Sequence, residues 1–325
     1  MYAYLVKEPG GEFSEVELPR PVLRENQVLV RIKASGVNPL DLKIRAGQAG
    51  HAKQPLPAVL GLDMAGIVEE VGAGVTGFKA GDAVFGMVGG VGGLQGTLAE
   101  FVAADADLLA RKPASLSMRE AAALPLVTIT AWEGLVDRAK VHAGQTVLIH
   151  AGAGGVGHVA VQLARAYEAT VYATVSPEKK AAVERFGATA INYRSTSAEE
   201  YVAAFTGGEG FDIVYDTLGG ATLDASFIAA KRYTGHVVSS LGWGTHALAP
   251  LSFRGATYSG VFTLYPLLSG AGRANHGRIL VEAAALAETG KLRPLLSEQR
   301  FGLGEIAEAY DAVAAGVLGK VVVEH

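Results

Sequence analysis

The distribution of apolar and polar residues along the chain changes near residue 119. Before that point, short apolar runs such as Val28–Ile32 and Gly66–Val71 are bounded by glycines and other turn residues, which predicts a small, turn-rich sheet or barrel. After it, similar runs alternate with segments of helical spacing, as in a strand over Thr146–His150 followed by a helix over Val156–Tyr167. This alternation predicts a parallel, doubly wound sheet over about residues 119–261.

The rest of the pattern extends this prediction to the end of the chain. Further strands are predicted at 170–174, 190–193, 212–215, 236–238 and 319–323, and helices at 177–186, 276–290 and 307–315. The glycine-dense segment Gly86–Gly96 is predicted to be a flexible loop, with a lid that contacts a ligand as the alternative.

Composition limits the classes of protein. The chain has 325 residues, 50% of them hydrophobic and 18% charged, which is typical of a globular enzyme with two domains. A net charge of −4 argues against binding to nucleic acid or to an anionic membrane. The absence of cysteine excludes disulfides, thiolate nucleophiles and Cys-based metal sites. With neither a signal peptide nor a long apolar stretch, a cytoplasmic location is expected.

A glycine motif follows the first strand of the alternating region. The residues are Gly152, Ala153, Gly154, Gly155, Val156 and Gly157, which match G-x-G-x-x-G between an apolar strand and an amphipathic helix. In this context the glycines permit a tight turn, close approach of the backbone to a pyrophosphate, and close packing of helix on strand. The motif therefore predicts a dinucleotide site. The alternative is a turn that only packs.

The residues after the second strand indicate which dinucleotide binds. An NAD site usually carries an acid about 20 residues after the motif, but here Ser176 stands at the strand end and Lys179 and Lys180 follow. A hydroxyl and two ammonium groups suit a 2′-phosphate, so NADP (as NADPH) is the predicted cofactor. Glu178 is expected to serve the helix dipole. The alternative for the two lysines is a solvated helix face.

Several motifs in order resemble one known family. They are residues 36–41 (GVNPLD), 57–66 (PAVLGLDMAG), 81–86 (GDAVFG), 130–135 (TAWEGL), 144–157, and the closing Gly319, Lys320, Val321 and Val322. The chain resembles the medium-chain dehydrogenase/reductase superfamily, specifically its zinc-independent quinone oxidoreductase (zeta-crystallin-like) branch. The resemblance implies an α/β protein in which a Rossmann-type doubly wound parallel sheet (119–261) is inserted in a groES-like, β-rich substrate domain (1–118 and 262–325).

The resemblance also implies site residues. Asn38 and Leu62 stand where zinc-dependent relatives have Cys and His ligands, so no metal is expected. In the family such an Asn lies beside the nicotinamide, and Asn38, Asp41 and His51 are the catalytic candidates. Cofactor contacts are expected from Thr130, Tyr193, Leu241, Phe262 and Lys320, besides the motif residues and Ser176, Lys179 and Lys180.

Some of these residues have structural alternatives. The pair Asn38-Pro39 is also a good turn former, Thr130 could cap or pack, and His51 could be a loop histidine that faces solvent. Phe262 could equally belong to a core or a subunit interface.

The expected activity is hydride transfer from NADPH to a small flat acceptor, which is a quinone or an α,β-unsaturated carbonyl compound. Such an acceptor delocalises the negative charge that the hydride brings. The alternatives are an enoyl or 2-alkenal reductase, and a non-catalytic NADPH-binding protein with a structural or regulatory role. A homodimer joined through edge strands of the nucleotide domains is expected from the family.

Overall fold

The computed structural model describes all 325 residues. The strands are β1 (Tyr2–Val6), β2 (Phe13–Glu17), β3 (Gln27–Val37), β4 (Ala58–Val59), β5 (Asp63–Val71), β6 (Ala83–Met87), β7 (Phe101–Asp105), β8 (Leu109–Arg111), β9 (Thr146–Ile149), β10 (Thr170–Val175), β11 (Thr189–Asn192), β12 (Ile213–Asp216), β13 (His236–Ser239), β14 (Thr257–Gly260), β15 (Phe301–Gly302) and β16 (Val321–Glu324). The α-helices are α1 (Pro39–Arg45), α2 (Met118–Ala122), α3 (Pro125–Trp132), α4 (Gly155–Ala166), α5 (Lys180–Arg185), α6 (Ala198–Thr206), α7 (Ala221–Ala229), α8 (Ala249–Ser252), α9 (Tyr265–Ser269), α10 (Arg273–Glu288) and α11 (Ile306–Ala314).

The chain folds into two compact units. The first unit comprises Met1–Ile129 and Leu264–His325, and the second comprises Thr130–Thr263. The sequence prediction assigned residues 119–129 to the nucleotide domain, whereas the structure places them in the first unit, where α2 packs on β3 and β5. Gly36 permits this packing, because a Cβ there would overlap the carbonyl oxygen of Ala122.

The second unit contains a six-stranded parallel sheet in the order β11-β10-β9-β12-β13-β14. Counted along this unit the order is 3-2-1-4-5-6, which is the arrangement of a Rossmann fold. The predicted doubly wound sheet is therefore confirmed. The sixth strand, β14, was not predicted, because its sequence Thr-Tyr-Ser-Gly is short and mostly polar.

The core of the second unit explains why its strands read as continuous apolar runs. Leu148, Val214 and Val237 lie on neighbouring strands and are completely buried, and Phe211 and Phe227 pack with them. A parallel sheet is covered on both faces, so both faces of each strand must be apolar. Burying each of these side chains stabilises the fold by about 1.5–3 kcal/mol.

The first unit joins the two ends of the chain in one sheet. Its seven-stranded sheet has the order β15-β16-β3-β5-β6-β8, with β7 also paired to β3, and a smaller sheet has the order β2-β1-β4. Strand β16 runs antiparallel to β3, pairing Val321 with Val37 and Glu324 with Ala34. The residues after the second unit therefore complete the β-rich domain, as the resemblance implies.

Two predictions of local structure need correction. The helix predicted over 177–186 is a 3₁₀ turn, Pro177–Lys179, followed by α5. Most of the segment Gly86–Gly96 is closely packed, so the flexible-loop prediction is wrong for it: Val91 is fully buried, and a Cβ on Gly90 would lie 2.6 Å from the carbonyl oxygen of Gly61, whereas Gly92 and Gly93 are exposed. Glycine is abundant here because backbone segments approach each other closely.

The remaining predicted helices, at 156–167, 276–290 and 307–315, are α4, α10 and α11. None of the helices is both long enough and apolar enough to cross a lipid bilayer.

Candidate cofactor and acceptor sites

The second unit has a cavity of about 550 Å³ at the carboxyl ends of β9 and β10. Parallel α/β sheets bind ligands at this edge, because the loops that leave the strands diverge there. Its walls come from the glycine motif, the end of β10, the segment after β11 and the start of α7. The lining residues are His150, Ala151, Ala153, Gly154, Thr174, Val175, Ser176, Lys179, Tyr193, Thr196, Ser197, Ala198, Tyr201, Leu218, Ala221, Thr222 and Ala225.

The six motif residues divide between lining and packing. Gly154 caps α4 without a side chain, and it lines the cavity beside Ala153. Gly152 and Gly157 permit packing instead: a Cβ on Gly152 would lie 2.5 Å from Cβ of Ala173, and one on Gly157 would overlap the carbonyl oxygen of Ala151. Gly155 and Val156 form the first turn of α4. This cradle of backbone groups at a helix start fits the pyrophosphate of a dinucleotide.

The residues predicted to select the nucleotide also divide. Ser176, Lys179 and Tyr193 line the cavity. Lys180 does not, because it turns toward Glu184 on the same helix, with 3.6 Å between Nζ and Oε1. Lys180 therefore fits the solvated-face alternative better than a cofactor contact.

Sequence reasoning missed His150 and Thr174 in the cavity wall. The hydroxyl of Thr174 accepts a hydrogen bond from the Ala151 N–H at 3.1 Å and lies 3.2 Å from Nδ1 of His150. Burial lowers the pKa of His150 to about 4, against a weaker opposing effect of Asp216, so the ring is neutral at physiological pH. A polar residue at the end of an apolar strand was the available signal.

Three predicted cofactor contacts in the second unit lie outside this cavity. The hydroxyl of Thr130 lies 3.0 Å from that of Thr263, and its carbonyl oxygen accepts a hydrogen bond from the Tyr215 hydroxyl at 2.7 Å. The N–H of Leu241 donates to the Ser239 hydroxyl at 3.1 Å. Phe262 is 41% exposed, which argues against the core alternative. The cofactor roles of these residues stay predictions.

The first unit holds a buried polar cluster, defined by Asn38, Asp41, Asp63 and Lys320, all at most 5% exposed. The Asn38 amide donates to Oδ2 of Asp63 at 3.0 Å and its carbonyl accepts from the Lys320 ammonium. Lys320 also donates to the Val37 carbonyl at 3.1 Å. The Lys320 ammonium is thus bound within this unit, and its predicted cofactor contact stays a prediction.

Local structure positions the members of this cluster. Asn38 caps α1, and Oδ2 of Asp41, three residues on, accepts the Asn38 backbone N–H at 2.8 Å. The other oxygen of Asp41 has no hydrogen-bond partner. Asp63 begins β5, and its Oδ1 accepts the N–H of Leu126 at 2.9 Å. The turn-forming role of Asn38-Pro39 and its place in a polar cluster thus occur together.

Burial dominates the electrostatics of this cluster. It raises the pKa of Asp41 to about 7 and that of Asp63 to about 6, against the opposing effect of the Lys320 ammonium. Burial also lowers the pKa of Lys320, opposed by Asp63 and Asp41. Two acids and one lysine therefore share a buried site, so the negative charge exceeds the positive charge by one until an acid binds a proton at lower pH.

The last catalytic candidate, His51, lies in the short 3₁₀ helix Gly50–Ala52. It is half-buried, and burial together with the nearby charge of Lys43 lowers its pKa. Its catalytic role stays a prediction.

The positions of the absent zinc ligands have other roles. Leu62 is completely buried, and Asn38 is bound to Lys320 and Asp63. No three His, Asp or Glu side chains are arranged so that they could hold a metal ion.

Comparison with known proteins agrees with the fold. Residues 24–114 match the alcohol dehydrogenase GroES-like domain, and residues 155–267 match the zinc-binding dehydrogenase domain. An alcohol dehydrogenase superfamily protein from Novosphingobium aromaticivorans is 58% identical, with a TM-score of 0.98 over 100% of this chain and 99% of that one.

Curated relatives extend this comparison. An Arabidopsis thaliana chloroplastic NADPH-dependent alkenal/one oxidoreductase is 35% identical over 99% of this chain and 79% of its own. A Sus scrofa quinone oxidoreductase is 33% identical over 95% of this chain and 92% of its own. The chain also spans 12% of a Streptomyces orinoci polyketide synthase system protein, at 38% identity. From its two domain matches and these relatives, the chain belongs to the medium-chain dehydrogenase/reductase superfamily, in its zinc-independent, quinone-oxidoreductase-like branch.

Proposed function

We propose that this chain is an NADPH-dependent reductase of quinones or of α,β-unsaturated ketones and aldehydes. The observation that carries the choice of cofactor is the wall of the cavity in the second unit, which contains Lys179 and no Asp or Glu. Relatives named quinone oxidoreductase and NADPH-dependent alkenal/one oxidoreductase support the two acceptor classes. When bound, the reduced nicotinamide supplies the hydride.

The second unit supplies binding and orientation. Backbone N–H groups at the start of α4 favour the pyrophosphate, and Gly154 leaves room for it at the cavity wall. Ser176, Lys179 and Tyr193 supply a hydroxyl, an ammonium and a phenol where a 2′-phosphate would be recognised. A carboxylate that lines the cavity would favour the 2′-hydroxyl of NAD instead, and Glu178, which lies beside Ser176, is not among the lining residues.

The first unit supplies the residue proposed to act on the acceptor. Lys320 and Asp63 bind opposite ends of the Asn38 amide, so its orientation is fixed. One N–H of that amide donates to Asp63, and the amide also interacts with the side chain of Asp41. A fixed donor of this kind stabilises an oxygen that gains negative charge. A conjugated acceptor suits such a site, because its charge delocalises.

Steady-state kinetics with NADPH and NADH, on panels of quinones and alkenals, test the cofactor choice. Lys179→Ala should weaken NADPH binding about ten- to a hundredfold, because one ionic hydrogen bond contributes roughly 1.5–3 kcal/mol. The same substitution should leave NADH binding nearly unchanged. Lys180→Ala is the matched control, because Lys180 pairs with Glu184 outside the cavity. Equal use of both nucleotides by the wild type would refute the NADPH assignment.

The acceptor role has its own test. Asn38→Ala should lower turnover by ~10²–10³, the usual effect of losing a donor to an oxyanion, with NADPH affinity unchanged. Thermal unfolding must confirm that the variant is folded. Unchanged turnover in a folded variant would leave Asn38 as a structural residue of the buried cluster.

We also propose a homodimer formed through β14. This strand pairs only with β13, so its outer edge is free. Aromatic residues near it are exposed: Tyr258 at 37%, Tyr233 at 88% and Phe253 at 87%. An unpaired edge flanked by apolar surface is suited to pairing with a second copy. In sedimentation experiments the wild type should have twice the mass of one chain. The double variant Phe253→Lys, Tyr258→Lys should have the mass of one chain. A wild type with the mass of one chain would refute the dimer.

A further inference from the structure

Four side chains form a network beside the cavity of the second unit. The Glu178 carboxylate accepts a hydrogen bond from Nη1 of Arg194 at 2.8 Å, and it also interacts with the Ser176 hydroxyl. Arg194 in turn lies near Tyr193, with its guanidinium carbon 5.9 Å from the centre of that ring. Ser176 and Tyr193 line the cavity, so the network starts and ends at its wall.

The carboxylate of Glu178 is a permanent anion. The Ser176 hydroxyl, the N–H of Glu178 itself and the Arg194 guanidinium together lower its pKa to about 2. The Glu178 carboxylate is therefore ionised at every pH near neutrality. The expected role of Glu178 at the helix dipole is thus incomplete, because its carboxylate also interacts with two side chains.

The donors that hold this carboxylate are those that a phosphate would take. A guanidinium and a hydroxyl bind phosphate oxygens well, because the ionic hydrogen bonds are strong and the guanidinium donors form a fork. A second anion that approaches the same donors is repelled by the first. The side chains of Arg194 and Glu178 are 55% and 64% exposed, so no packing prevents them from separating.

We propose that Glu178 is a specificity-determining residue whose carboxylate competes with the 2′-phosphate of the cofactor for Ser176 and Arg194. This inference rests on the proposed function, in which that phosphate binds near Ser176 and Lys179. NADPH binds only with displacement of the carboxylate from these donors, whereas NADH, which has no 2′-phosphate, leaves it in place. Glu178 therefore lowers the preference for NADPH below the level that the surrounding cationic groups would set.

Calorimetric titration with two nucleotide fragments tests this proposal without turnover. Adenosine 2′,5′-bisphosphate and adenosine 5′-monophosphate differ only in the 2′-phosphate, so the ratio of their dissociation constants isolates its contribution. Glu178→Gln should raise this ratio in favour of the bisphosphate by about tenfold, equivalent to about 1.4 kcal/mol, with the monophosphate unchanged within about twofold. Adding Arg194→Ala to Glu178→Gln should remove most of that gain.

A matched control separates local competition from general charge. Glu184 is an exposed acid on α5 that pairs with Lys180 and has no bond to the network, so Glu184→Gln removes the same charge nearby. Its ratio should stay within about twofold of the wild type at 0.15 M salt, where exposed charges are screened beyond about 8 Å. An equal gain in Glu184→Gln, no gain in Glu178→Gln, or a full gain without Arg194 would each overturn the proposal.

The same titrations distinguish this proposal from the proposed NADPH preference. If the wild type binds both fragments equally and Glu178→Gln prefers the bisphosphate, the preference fails and the competition by Glu178 stands. A second pattern gives the opposite conclusion: the wild type prefers the bisphosphate, Lys179→Ala loses that preference, and Glu178→Gln leaves the ratio unchanged. In that case the proposed NADPH preference stands and the proposed competition by Glu178 fails.

Discussion

Replacing Asp41 by asparagine should change the pH dependence of stability in a direction that the buried cluster determines. Asp41 is completely buried, one of its oxygens has no partner, and the ionisable groups near it are Asp63, Lys320 and Tyr310. Burial raises its pKa from 3.8 to about 7, so the folded protein binds a proton more tightly than the unfolded chain does. Asparagine has a similar shape and an oxygen that can accept the backbone N–H, but it does not titrate.

The sign and magnitude follow from this shift. Below about pH 4 the carboxyl group is protonated in both states and costs nothing. As the pH rises from about 4 to about 7, the unfolded chain releases this proton while the folded protein retains it, so stability falls, and the loss is complete above pH 7. A pKa difference of about three between the folded and unfolded states lowers the free energy of unfolding by about 4 kcal/mol in total, and about 2–3 kcal/mol of this loss falls between pH 5 and pH 8. From pH 5 to pH 8, the free energy of unfolding of Asp41→Asn should therefore rise by that amount relative to that of the wild type.

Urea unfolding followed by far-ultraviolet circular dichroism at pH 5 and pH 8 measures this difference. Val322→Ala is a suitable control, because Val322 is completely buried in the same unit and has no ionisable group. Its difference from the wild type should be the same at both pH values. An equally constant difference for Asp41→Asn would refute the reasoning, since it would mean that burial does not hold a proton on Asp41.

Two further predictions concern single residues. Lys320→Met should destabilise the protein by about 3–5 kcal/mol at pH 8, because Asp63 and Asp41 lose their cation, and by less at pH 5, where protons replace it; equal losses in urea unfolding at both pH values would contradict this. Gly157→Ala should greatly weaken binding of adenosine 5′-monophosphate in calorimetry, because the new Cβ would overlap the Ala151 carbonyl oxygen and displace the start of α4; unchanged affinity would mean that the helix can move without cost.

Local patterns were sufficient for the doubly wound sheet and its glycine motif. Buried parallel strands must be apolar on both faces, and a motif such as Gly152–Gly157 gives local reasons for a turn and a helix start. Strand β14 was beyond this reasoning, because an edge strand needs little apolar sequence and depends on β13 for its pairing. The segment Gly86–Gly96 was misinterpreted for a related reason: glycines that permit flexibility also permit close packing, and only the neighbouring backbone decides between them.

The candidate sites show the same division. The sequence by itself determined the fold class, the glycine cradle and the positions of Ser176 and Lys179, because these depend on residues close together along the chain. Only the tertiary structure decided that Lys320 lies against Asn38, far away in sequence, and that Glu178 bonds to Arg194 rather than serving its helix alone. Side chains on different strands meet through the pairing of those strands, and a buried charge acquires its pKa from neighbours that no local pattern specifies.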